Sequence, residues 1–236
     1  MLRVVTWNCR AGGFRYKAEH VAGLHADLLA VQEVERLDQV LVFGGEQQPT
    51  YRDRIADPVF PRRAIGVFSY TGLEMRAVDV AAPLCAFRRY VATMDGLEFN
   101  VIATWTAATK DSATSYRQAH EGIQAHSEWI CERPTVLLGD LNDNASYRGT
   151  RWSDLMALLK PLGLMSAYHE FFREAPGSET RPTHFYRGDE TRPFHLDYCF
   201  LPAEWLSHIT AVRVGEFSPE WKKVSDHVPL IVDLDL

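Results

Sequence analysis

Closely spaced cysteines are missing from this chain: Cys9, Cys85, Cys131 and Cys199 lie far apart along its 236 residues. That spread excludes the paired-cysteine spacing of a zinc or redox motif and argues against a disulfide frame. Reduced thiols in a cytoplasmic protein are the expectation. A basic excess is also missing. The 25 Lys and Arg face 31 Asp and Glu, a formal charge of −6. This excludes a generally basic nucleic-acid coat but leaves room for a local basic rim around an acidic site. No apolar run approaches membrane-spanning length, and Leu2 already opens a strand pattern, so neither a spanning helix nor a signal peptide is expected. Internal repeats, low-complexity tracts and linkers are absent too. With 46% hydrophobic residues to build a core, residues 1–236 are expected to form one domain.

What the chain does have is short apolar strands that end on polar groups. Pro134-Thr135-Val136-Leu137-Leu138-Gly139-Asp140-Leu141-Asn142 is the clearest. The run is right for a buried strand and too short for a helix. If it stays extended beyond Gly139, Asp140 and Asn142 share a face. Leu2 to Trp7 ends at Asn8, Asp27 to Val34 carries Gln32-Glu33, and Ser225-Asp226-His227 precedes the apolar run from Val228. His195-Leu196-Asp197-Tyr198-Cys199-Phe200 embeds a carboxylate in an aromatic and apolar strand, where it needs a cationic or hydrogen-bonding partner.

Between these, Ala64 to Tyr70 and Glu74 to Val80 are predicted as a strand pair around Thr71-Gly72. Arg88 to Met94 and Leu97 to Thr106 are predicted to flank an Asp95-Gly96 hairpin turn. Helices are predicted at Tyr16 to His25, at Ser112 to Glu132 and at Trp152 to Leu162, the last closed by Gly163. Residues 35–61 are expected to be mostly loop.

The chemistry follows from the residue types. Oxygen ligands without paired cysteines favour Mg²⁺ or Mn²⁺ over zinc. Glu33 is the best first ligand, and Asn8 can offer its amide oxygen. Asp140 can take a proton from an attacking water while Asn142 holds that water or a phosphate oxygen. Asp197 is a natural partner to orient His227 and favour its imidazolium, which can stabilise transition-state charge. These roles suit metal-assisted hydrolysis of a phosphate ester.

Thr6-Trp7-Asn8, Gln32-Glu33, Gly139-Asp140-Leu141-Asn142, His195-Leu196-Asp197-Tyr198 and Ser225-Asp226-His227-Val228-Pro229-Leu230 together resemble the ordered motifs of the endonuclease/exonuclease/phosphatase superfamily. That superfamily includes pancreatic-type deoxyribonucleases, apurinic endonucleases, deadenylases, sphingomyelinases and inositol-polyphosphate 5-phosphatases. The resemblance implies an α/β four-layer sandwich, two mainly antiparallel β-sheets packed face to face and flanked by helices. It places the active site at one end of the sandwich. It implies metal binding by Asn8 and Glu33, water activation by Asp140, positioning by Asn142 and orientation of His227 by Asp197. Asp226 would assist metal or water.

One position departs from the pattern. Many members place a phosphate-contacting histidine where this chain has Thr104-Trp105-Thr106, and an indole offers one N–H and no charge. Tyr116 or His120 is a candidate replacement. Asn144 is a candidate phosphate ligand or turn residue, and His169-Glu170 a second polar cluster without assigned chemistry. Arg62-Arg63, Arg88-Arg89, Arg148, Arg151, Arg181 and Arg187 are candidates for a basic rim. The leading expectation is a Mg²⁺- or Mn²⁺-dependent phosphodiesterase acting on nucleic acid. The alternatives are a hydrolase of a small phosphomonoester, inositol phosphate or lipid headgroup, and a catalytically silent binding protein on the same scaffold.

Overall fold

The computed structural model describes residues 1–35, 42–56, 64–78, 87–106, 112–147 and 150–236. In chain order the strands are β1 (Leu2–Asn8), β2 (Leu28–Val34), β3 (Tyr51–Ala56), β4 (Ala64–Ser69), β5 (Glu74–Val78), β6 (Phe87–Met94) and β7 (Leu97–Trp105). They continue with β8 (Thr135–Asp140), β9 (Leu164–Ser166), β10 (His184–Phe185), β11 (Pro193–Phe194), β12 (Asp197–Pro202), β13 (Ile209–Val214) and β14 (Leu230–Leu234). The α-helices are α1 (Phe14–Lys17), α2 (Glu19–Ala22), α3 (Ser112–Ala125), α4 (Ser127–Glu132), α5 (Trp152–Leu159) and α6 (Ala167–Phe172).

Two six-stranded sheets form, ordered β13-β14-β1-β2-β4-β3 and β5-β6-β7-β8-β12-β9. Each holds one parallel pair, β1 with β2 and β7 with β8, among antiparallel neighbours. β10 and β11 pair as a separate two-stranded ribbon, bridged through His184 to His227. Strand periodicity of two explains the layers. Leu2 and Val4 of β1, Val136 and Leu138 of β8, and Cys199 and Leu201 of β12 point into the core between the sheets. Their neighbours Val5 and Trp7 face a second cluster under α1 and α2, built around Phe14, Val21 and Phe68. Leu137, Tyr198 and Phe200 face a third, beneath α3, α4 and α5. The expected four-layer sandwich is the observed fold.

Four local expectations are corrected. β4 and β5 are strands, but not partners: β4 pairs with β2 and β3, while β5 pairs with β6 in the other sheet. The turn at Thr71-Gly72 therefore crosses between sheets. β3 lies within the stretch expected to be mostly loop, as a strand that among the described residues pairs only with β4. The helix expected at Tyr16 to His25 is the two single turns α1 and α2. The long helix expected to Glu132 breaks at His126, whose backbone (φ −105°, ψ 4°) leaves helical geometry between α3 and α4. The Asp95-Gly96 turn does form the β6-β7 hairpin, with both residues at positive φ.

Candidate active site

The sheet topology brings the polar strand ends to one edge. β1 and β2 run parallel and finish together, and antiparallel β14 starts there. In the other sheet β8 ends opposite the start of antiparallel β12, with Asp140 and Asp197 register partners. Asp140 and Asp197 continue the inward-facing rows of their strands, which places both carboxylates between the sheets with no solvent exposure. Trp105, the register partner of Asp140 on its other side, ends the inward row of β7.

Two residues reach the site by breaking strand geometry. Glu33 alternates out of step with Leu28 and Ala30, which face the inter-sheet core. A register irregularity between Val31 and Val34 and a left-handed backbone at Glu33 (φ 62°) turn its carboxylate toward Asn8. Asn142 does not share a face with Asp140 through an extended chain, as the sequence suggested. β8 stops at Asp140, and Asn142 adopts φ 46° so that its amide folds back. Its Nδ2 donates to Asp140 Oδ2 (2.9 Å) and to the Thr106 carbonyl (2.7 Å), and its backbone N–H donates to Asp140 Oδ1 (2.8 Å).

The remaining groups interlock. Asn8 Nδ2 donates to Asp140 Oδ2 at 2.9 Å and to Glu33 Oε1 at 3.2 Å. His227 Nδ1 is 2.8 Å from Asp197 Oδ2. Ser225 ties the two halves together: its hydroxyl donates to the Asn8 carbonyl and accepts the His227 backbone N–H. The indoles of Trp7 and Trp221 both donate to the His227 carbonyl, at 3.0 and 2.7 Å. Asp226 faces Arg10, with Nε to Oδ2 at 3.4 Å.

Electrostatics separate the two ionisable groups at the centre. Burial, and next the Asp197 carboxylate, push Asp140 up to about 7, against the opposing pull of His227, Asn8 and the Asn142 N–H. Burial disfavours charge on His227, but Asp197, Asp140 and Asp226 outweigh it and raise the imidazole to about 9. At neutral pH a carboxyl poised to accept a proton thus stands beside an imidazolium.

All seven residues named from the sequence, Asn8, Glu33, Asp140, Asn142, Asp197, Asp226 and His227, are brought to this edge. The donor set for a cation around Asn8 is oxygen-rich. The carboxylates of Glu33 and Asp140 both turn to the Asn8 amide nitrogen, and the Asn8 amide oxygen accepts the Arg10 backbone N–H at 2.9 Å. Such a set fits Mg²⁺ or Mn²⁺.

Other candidates land elsewhere. Tyr116 packs on the helix-covered outer face of the second sheet, with His120 5.6 Å away ring to ring, so neither takes the place of the histidine missing at Trp105. Asn144 is a buried brace, its Nδ2 donating to the His195 carbonyl, Glu179 and the Tyr198 hydroxyl. His169 pairs with Glu179 at 3.0 Å and forms part of the same brace. Arg151 and Arg181 pair with Asp154 and Glu174, and Arg89 stacks on Trp129. Arg88 is buried, its Nη1 donating to the Phe87 carbonyl, and Arg187 lies over Tyr186. Arg62, Arg63 and Arg148 lie outside the described residues. Sequence reasoning missed Arg10 and His184. The one hint was the position of Arg10 two residues past Asn8, and His184 lies outside the motifs singled out above.

Comparison with known proteins bears on the family and the fold. The model of the endonuclease/exonuclease/phosphatase family matches residues 5–227. The chain belongs to that family. A 3′ phosphatase from Neisseria, NExo, solved with a product DNA hairpin, superposes with a TM-score of 0.73 at 16% identity, covering 100% of both chains. TDP2 from D. rerio, complexed with a single-strand DNA product, gives 0.72 at 13% identity over 100% of this chain and 99% of that one. An AP endonuclease from Archaeoglobus fulgidus gives 0.70 at 13% identity, covering 100% of both. At these identities the likeness is one of fold. No curated protein sequence matches the chain. Family membership supports hydrolysis of a phosphate ester. Among the described residues no helix is long and apolar enough to cross a membrane.

Proposed function

We propose that this member of the family is a divalent-metal-dependent phosphodiesterase acting on nucleic acid. The observation that carries the reading is the convergence of Asp140, bonded by Asn8 and Asn142, with an Asp197-backed His227 at one sheet edge. Asp140 takes the proton of the attacking water. Asn142, folded against Asp140, holds that water in line. His227 faces the phosphate and offsets the charge that develops on its oxygens. Asp197 fixes the orientation of the imidazole. Asn8 and Glu33 would hold Mg²⁺ or Mn²⁺, which supplies Lewis-acid polarisation of the phosphate. Residues 1–236 act as one domain, and the free thiols of Cys9, Cys131 and Cys199 suit a reducing compartment such as the cytoplasm.

DNA in two of the related structures supports a nucleic-acid substrate. The formal charge of −6 favours a second reading, a small phosphomonoester or inositol phosphate. The test is hydrolysis of single- and double-stranded DNA, RNA and small phosphate esters with Mg²⁺, Mn²⁺ or EDTA. Metal-independent turnover, or full activity in Asp140→Ala and His227→Ala, overturns the mechanism. Affinity for an oligonucleotide that falls steeply with salt supports the nucleic-acid substrate. Salt-insensitive turnover of small phosphates supports the second reading.

A further inference from the structure

Two imidazoles, not one, stand at this edge. β10 is laid along the segment before β14 by backbone hydrogen bonds: Phe185 N–H donates to the Asp226 carbonyl and Val228 N–H to the Thr183 carbonyl, both at 2.8 Å. His184 and His227 thereby become bridge partners, with ring centroids 4.4 Å apart. His184 is 9% exposed, and its Nδ1 is buried with no hydrogen-bond partner. A buried imidazole nitrogen without a partner carries a desolvation cost that a ligand would relieve. One donor atom from each of His184, Asp226 and His227 lies within 4.8 Å of the other two.

We propose that His184, Asp226 and His227 form a site for one borderline transition-metal dication, Zn²⁺ by its chemistry, distinct from the oxygen-lined position at Asn8 and Glu33. Two imidazoles and a carboxylate with a fourth position open is a zinc donor set, and Mg²⁺ prefers oxygen throughout. His227 is prepared for the role. Its Nδ1 is committed to Asp197, which leaves Nε2 as the ligand and supplies the carboxylate behind a metal-bound histidine. Arg10, half-exposed on its ion pair with Asp226, is the cation the metal would displace. If the hydrolase reading above holds, a metal on Nε2 takes the nitrogen that would face the phosphate, so Zn²⁺ inhibits.

The experiment is a Zn²⁺ titration of the full chain against a chromophoric chelator in excess Mg²⁺, with Zn²⁺ inhibition measured in parallel. One tightly bound equivalent is expected in the unaltered protein. His184→Phe and His184→Gln should each weaken it by more than about tenfold, at least as much as loss of a supporting group behind a ligand. Glu33→Gln should bind Zn²⁺ as the unaltered protein does. Unchanged affinity in both folded His184 variants overturns the site, as does loss of binding in Glu33→Gln. Zn²⁺ bound with the expected dependence on His184 in a protein that hydrolyses no phosphate ester leaves the site standing and removes the hydrolase reading.

Discussion

Nδ1 of His227 lies 2.8 Å from Oδ2 of Asp197, whose side chain is fully enclosed between the sheets. The pair sets the charge of the site. Although burial works against it, the imidazole is raised from 6.5 to about 9, chiefly by Asp197 and then by Asp140 and Asp226. A raised folded-state value contributes stability that is fully present below 6.5 and is lost as pH rises through about 9. Asp197→Asn removes the largest of the raising contributions. The His227 ring, followed by NMR, should then lose its proton at lower pH than in the unaltered protein. Turnover of a phosphodiester should fall by roughly 10²–10⁴-fold, the usual worth of a positioned acid or base. An unchanged His227 titration would separate the two residues functionally.

Gly139 precedes Asp140 in a conformation closed to other residues. Its φ is 148°, and a Cβ built there would lie 1.9 Å from the Thr104 carbonyl oxygen of the neighbouring strand. The contact is backbone, so no rotamer change relieves it. Gly139→Ala should destabilise the fold by at least about 4 kcal/mol, or fail to accumulate as folded protein. Urea denaturation measures this. Wild-type stability in the variant would mean that β7 and β8 separate at little cost.

Much of the site was legible because strand parity is a strong signal. Val136, Leu138 and Asp140 alternate inward, as do Leu2, Val4 and the Thr6-Asn8 end of β1, so the polar termini could be placed before any coordinates. Parity fails where the backbone turns left-handed. Nothing in Gln32-Glu33 announces φ 62° at Glu33, and Asn142 reaches Asp140 through a turn rather than along a strand. β3 was hidden because Tyr51-Arg52-Asp53-Arg54 is polar, which suits a strand that has one partner among the described residues. The bridge from His184 to His227 is a long-range backbone pairing that local pattern does not encode.

Behind the Asp140–Asn142 turn, Glu179 anchors a buried brace. Burial alone would raise its carboxyl, but hydrogen bonds from His169, the Gly177 N–H, its own N–H and Asn144 hold it down at about 2, against an ordinary 4.5. A depressed value contributes stability present above 4.5 and lost as pH falls toward 2. Glu179→Gln should therefore be less stable than the unaltered protein at neutral pH, with the gap closing through that acid window. Thermal unfolding midpoints along a pH series check the sign. A gap that widens in acid would contradict the assignment.

Glu33 and Asn8 distinguish metal binding from the proton chemistry. Asn8 donates to both Glu33 and Asp140, yet neither Asn8 nor Glu33 is assigned the water or the phosphate. A cation held only by the folded chain raises stability as RT ln(1 + [L]/Kd), about 2.7 kcal/mol at a hundredfold excess over Kd. Mg²⁺ added after EDTA treatment should thus raise the unfolding temperature even without substrate. Glu33→Gln should move that response to concentrations on the order of tenfold higher or more, since a carboxylate is the principal protein ligand for Mg²⁺. Activity in the same variant should return at high Mg²⁺, because Asp140, Asn142 and His227 remain in place. In Asp197→Asn the Mg²⁺-dependent stabilisation should persist while turnover stays low at any Mg²⁺ concentration. Recovery of Asp197→Asn by added metal, or a thermal response to Mg²⁺ that Glu33→Gln does not alter, would move the cation away from Glu33.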